Sequence, residues 1–76
     1  MMQTISTSAL IRRINRKLAH REQILCVSRG EREKQNVGDY HVIDHSNTVV
    51  MTFINLEPYA RDLGVMGEWE TLEEAE

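Results

Sequence analysis

Apolar residues near the start of the chain recur at helical spacing. Leu10, Ile11, Ile14 and Leu18 follow at steps of one, three and four, which gathers them on one side of a 3.6-residue turn. The pattern predicts an amphipathic helix from Ser6 to Arg21. Ser6 suits the N-cap, where its hydroxyl accepts from an otherwise unpaired backbone N–H. Ile5 and Leu10 occupy the two positions of a hydrophobic staple across the first turn. Burying the four apolar side chains contributes about 6–12 kcal/mol before entropy, at about 1.5–3 kcal/mol each. That side is therefore committed to a core. Arg12, Arg13, Arg16, Lys17 and His20 project on the opposite side, which is left free to act.

Beyond this helix the period shortens. Gln23 to Ser28 is a short β-branched run that predicts a strand, closed by Gly30. Glu31 to Asn36 carries charge without an apolar stripe and reads as a mobile loop with room for a short helical turn. Tyr40 to Asp44 predicts a second strand, His45-Ser46-Asn47 a turn, and Thr48 to Ile54 a third and longest strand, hairpinned antiparallel to the second. Asn55 is placed to cap a second helix from Leu56 to Leu63, with Pro58 in its first turn and Gly64 at its left-handed end. Val65 and Met66 would fold back against that helix, and Trp69 would cover the open end of the core. Residues 1–4 and 71–76 are expected to fray, the latter as an acidic tail. The order α-β-β-β-α predicts one small α+β domain, residues 1–76: a three-stranded antiparallel sheet with helices on one face.

Composition changes this picture in three ways. Seventy-six residues lie near the size at which a single core is barely sufficient, so a homodimer would be an easy way to add buried area. One cysteine, Cys26, forms no internal disulfide, and no run approaches the roughly 18 apolar residues of a membrane span. Without a signal-peptide pattern at its start, the chain is expected in the cytoplasm. The net charge of −3 conceals a division. Residues 12–34 hold eight Lys/Arg against three Glu, whereas residues 35–76 hold one Arg against nine acids. A chain so divided can pair its own halves, present two different surfaces, or associate head to tail.

Two surfaces are candidates for partner binding. The basic stripe of Arg12, Arg13, Arg16, Lys17 and His20, with Arg29, Arg32 and Lys34 in reach, suits phosphate oxygens or an acidic protein surface, and Asn15 borders it as a reader of base edges. It lacks the aromatic that base stacking uses. The second surface is the apolar and acidic mixture Glu68-Trp69-Glu70, in which Trp69 would anchor and the carboxylates would form a rim.

Catalytic and metal chemistry find less support. His41 and His45 are four apart, which on a strand separates them by about 13 Å, and no second ligand pair exists. His41 then reads as a strand surface residue and His45 as a turn residue. Asp44-His45-Ser46 contains the residue types of a hydrolase triad, but consecutive positions do not converge as a triad must. Cys26 lies in an apolar strand, where burial raises a thiol's pKa. Gly30, Gly38, Gly64 and Gly67 are too dispersed for a phosphate loop. No enzyme activity, metal or cofactor is expected. The element order is also that of the double-stranded RNA-binding domain, whose last helix begins with phosphate-gripping lysines. Here that stretch is Asn55-Leu56-Glu57-Pro58-Tyr59-Ala60-Arg61, which is not basic, so that function is not expected.

Four stretches carry a resemblance: residues 5–18 (ISTSALIRRINRKL), Ser28-Arg29-Gly30, residues 38–44 (GDYHVID) and residues 55–69 (NLEPYARDLGVMGEW). Through them the chain resembles a loose group of small proteobacterial proteins of plasmids, integrative elements and prophages. The resemblance implies a mobile-element setting and assigns no activity to any residue. Small proteins of such elements regulate transfer genes or block host defence complexes. The anti-CRISPR class is an analogy for the second, with the acidic C-terminal half as the inhibiting surface.

Overall fold

The computed structural model describes residues 2–73. Strand β1 (Gln3–Ile5) leads into helix α1 (Thr7–Leu18), which tightens into a 3-10 turn over Ala19–Arg21. Strand β2 (Gln23–Val27), helix α2 (Glu31–Val37), strands β3 (Tyr40–Asp44) and β4 (Val49–Met51), helix α3 (Leu56–Asp62) and strand β5 (Glu70–Leu72) follow. The chain is a small α+β domain with a three-stranded antiparallel sheet, order β2-β3-β4, and a separate parallel pair, β1 with β5.

Helix α1 begins as its sequence dictates. Ser6 is extended and its hydroxyl accepts from the Ala9 N–H at 3.1 Å. Ile5 and Leu10 are both buried, as a staple requires. Leu10, Ile14 and Leu18 are fully covered and pack in one cluster with Leu25 and Val42 from the sheet and Leu56, Ala60 and Leu63 from the α3 segment. Leu25 and Val42 are direct cross-strand partners, so α1 and α3 cover that face of the sheet. Helix α3 ends in a Schellman motif: Val65 N–H donates to Ala60 O at 3.0 Å, and Gly64 N–H to Arg61 O at 3.1 Å. Gly64 takes φ +77°, a conformation that strains any side chain. Asn55 stands at the expected N-cap in extended conformation, but its side chain makes no capping bond.

Several expectations are corrected. The charged stretch expected as a loop is helix α2, whose start carries Glu31 and Glu33 where a helix dipole favours acids. The third strand shrinks to Val49–Met51 because its register with β3 shifts between Val42 and Ile43 and Phe53 turns to φ +53°. Phe53 then lies against Gly38, where a Cβ would fall 2.8 Å from the Phe53 ring and backbone. A pairing that local pattern does not show joins the two ends: Gln3, Thr4 and Ile5 pair with Glu70, Thr71 and Leu72, flanked by Gln3 N–H to Trp69 O (2.7 Å) and Glu73 N–H to Ile5 O (2.8 Å). Residues 74–76 of the expected acidic tail lie outside the described residues. Trp69 does not cover the core; it is 62% exposed, and Met66 is buried there instead. No helix among the described residues is long and apolar enough to cross a membrane.

Candidate functional site

The outer face of α1 divides into a partnered arginine and an unpartnered cluster. Arg13 reaches across to the C-terminal segment, where its Nη1 donates to both carboxylate oxygens of Glu70 at 3.0 and 3.1 Å and to the Val65 carbonyl at 3.3 Å. Glu70 is buried, and it also accepts from the Gly67 N–H at 2.8 Å. That backbone donor, with Arg13 and then Arg61 beside it, holds the Glu70 carboxyl below its usual pKa. Arg61 completes the clasp: Nη2 donates to the Glu70 carbonyl at 2.8 Å and to Glu57 at 3.1 Å, and Nη1 donates to the Gly67 carbonyl at 3.0 Å. Glu70 is thus an internal carboxylate that shapes the 65–70 loop, and the reading of it as a rim acid is corrected. The local sequence around Glu70, Gly67-Glu68-Trp69-Glu70, gives no hint of burial, which comes from the pairing of β5 with β1 and from the bonds to Arg13 and Gly67.

Arg12, Arg16 and Lys17 remain exposed on α1 and His20 on the 3-10 turn that follows it, and none has a carboxylate partner among the described residues. Arg16, Lys17 and His20, with Arg13 and Val65, line an open depression of about 430 Å³ between α1 and the loop after α3. Arg29, Arg32 and Lys34 do not line it. Arg29 follows β2, and Arg32 and Lys34 sit on α2, all three exposed. The structure therefore gathers Arg13, Arg16, Lys17 and His20 of the predicted stripe and leaves Arg12, Arg29, Arg32 and Lys34 outside the depression. Asn15 is no base reader: its Oδ1 accepts from the Leu25 N–H at 2.7 Å, tying α1 to the edge of β2.

The C-terminal candidate surface narrows in the same way. Trp69 and Glu68 are exposed while Glu70 is withdrawn. The Trp69 ring lies over Gly67, where a Cβ would fall 2.9 Å from it.

The remaining titratable residues do local work. Asp44 Oδ1 accepts from the Ser46 and Thr48 N–H groups at 2.8 and 3.0 Å, which closes the β3–β4 turn and, Thr48 first, lowers the Asp44 pKa. His45 is exposed in that turn. His41 is not the surface residue expected: it is buried opposite Cys26 on the sheet face away from Leu25 and Val42, where α2 brings Glu33 to 3.9 Å from its Nε2. Burial, and then the Glu33 charge, raise the Cys26 thiol pKa. Among the described residues, no three His, Cys, Asp or Glu side chains are grouped to hold a metal ion. No family model matches the chain, and neither does any curated protein or solved structure.

Proposed function

We propose that the protein is a non-enzymatic binding module that docks the outer face of α1 on an anionic surface, nucleic acid or protein, in the cytoplasmic, mobile-element setting that the resemblance implies. The observation that carries this reading is the contrast within α1. Arg13 is neutralised by Glu70, while Arg12, Arg16, Lys17 and His20 stand exposed without a carboxylate among the described residues. Within those residues the acidic half of the chain supplies only that one carboxylate to the helix. Unpaired cations on a rigid helix lose little on meeting phosphates or carboxylates and release counterions when they do. Pull-down from a native host, with and without nuclease, separates the two kinds of partner. For nucleic acid, binding falls steeply with salt, and Arg12→Glu, Arg16→Glu and Lys17→Glu together abolish it. A gel-shift series without binding at low salt removes that version.

A second reading is favoured by one observation, the 62% exposure of Trp69 beside Glu68. An exposed tryptophan with an acid next to it suits an inhibitor directed at a basic nucleic-acid-handling or defence complex. Its test is co-purification with such a complex, lost on Trp69→Ala with Glu68→Lys. An interaction untouched by both changes excludes this surface. Glu70 is unsuitable for that test because its reversal would break the Arg13 clasp.

A further inference from the structure

The exposed large apolar residues are not scattered. Of the eight among the described residues, Met2 and Trp69 flank the parallel pair, while Ile24, Val27, Val49, Val50, Met51 and Phe53 lie on the three-stranded sheet or just after it. The registers Ile24↔Ile43 and Ile43↔Val49 set two of these positions, Ile24 and Val49, in one row with the half-buried Ile43 across the face that α1 does not cover. At the end of the row, β4 has β3 on one side and no strand on the other among the described residues. All three β4 residues are exposed, and among the described residues Val49, Val50 and Met51 make no backbone hydrogen bond outside the ladder with β3.

Charge indicates what that edge accommodates. Residues 46–56 contain no Asp, Glu, Lys, Arg or His in a chain that is 28% charged. The other uncharged run of that length, residues 1–11, holds Ile5 and Leu10, which the core already buries. A molecule of net charge −3 repels its own copy, least where both surfaces are neutral. Edge strands that must stay single carry lysines, a proline or a cover. Among the described residues β4 has shortness and the register shift opposite Val42 and Ile43, but no lysine, proline or cover.

We infer that β4 is a self-association edge: two copies pair β4 against β4, antiparallel about a two-fold axis, and join their sheets in the order β2-β3-β4-β4-β3-β2. The two-fold makes the pairing antiparallel by symmetry. The neutral, β-branched Val49-Val50 pair supplies an apolar contact beside the backbone bonds. Among the described residues the monomer's core contains ten buried apolar residues, so the added area supplements a small interior. This surface is separate from the α1 face, and the two proposals stand or fall independently.

Sedimentation of the full chain over a concentration series is the test, in low salt and at about 1 M salt, where the screening length is about 3 Å. The expected result is a doubled mass that grows with concentration and persists in high salt. Val50→Lys then returns the mass of one copy with an unchanged circular dichroism spectrum. A single-copy mass up to about 1 mM, where only contacts weaker than about 4 kcal/mol escape notice, overturns the inference. So does a doubled mass indifferent to Val50→Lys, or one that dissolves in salt, which marks head-to-tail pairing of the charged halves. Should Val50→Lys not fold, hydrogen exchange of the wild-type Val49–Met51 amides decides. Protection that rises with concentration supports the edge, and protection that stays flat overturns it.

Discussion

Along its outer edge β2 hands the Leu25 amide to Asn15 Oδ1 at 2.7 Å, and its five residues keep register with β3 throughout. At the opposite edge of the same sheet, β4 is three residues long, shifts register once and leaves every side chain exposed. The difference lies in what the preceding helix offers. Asn15 sits where the apolar and basic sides of α1 meet, close enough to the core to reach β2 and polar enough to satisfy it. No helix among the described residues brings a comparable group to β4. One edge is closed from within the chain, and the other is left to an external partner or to water.

This contrast can be broken most severely from the closed side. Ile14→Ala removes a fully buried side chain packed between α1 and the sheet, and is expected to cost about 2–5 kcal/mol in denaturant unfolding. Asn15→Leu keeps the branched shape but strands the Leu25 amide, with an expected loss of about 1–3 kcal/mol in the same measurement. If that variant also gains a doubled mass insensitive to Val50→Lys, its freed β2 edge has become a second pairing site.

A smaller, pH-dependent effect belongs to the Arg13–Glu70 contact on the same side. Because the folded Glu70 pKa is lowered, its stabilisation is complete above the ordinary carboxylate value and is lost as pH falls through the folded one. Thermal midpoints should therefore decline on the acid side, with a shallower decline in Glu70→Gln. An identical acid limb in both proteins would place the titration elsewhere. The smallest effect is expected at the open edge: Val50→Lys should change monomer stability by no more than about 0.5 kcal/mol, since Val50 is already 46% exposed. A large loss there would mean that β4 contributes to the monomer's interior and that the two edges differ less than their contacts indicate.

Features set by nearby residues are legible in the sequence. Helix α1 with its Ser6 cap, strand β2, the β3–β4 hairpin and the Gly64 termination of α3 all follow from spacing and turn chemistry within a few residues. Helix α2 is not legible as a helix because every side chain from Glu31 to Asn36 is exposed, which leaves no apolar stripe to read. The β1–β5 pair escapes local pattern because three polar-rich residues at each end carry no alternation, and their partnership is wholly non-local. The candidate site is legible by half for the same reason. Spacing identifies the basic side of α1, whereas the withdrawal of Arg13 to Glu70 depends on a contact 57 positions away. Hydrophobicity alone would put Trp69 over the core, but Met66 reaches the core from the same loop and leaves the indole outside.

The parallel pairing of Gln3 with Glu70 also bears on how the chain reaches its folded state. Bringing together residues 67 positions apart in a flexible chain has an entropic cost of about 4 kcal/mol, whereas α1 and the β3–β4 hairpin form locally within microseconds. Three-residue strands return little for that cost until the intervening elements have shortened the path. The β1–β5 pair is therefore a latch, the last contact to close in folding and the first to open.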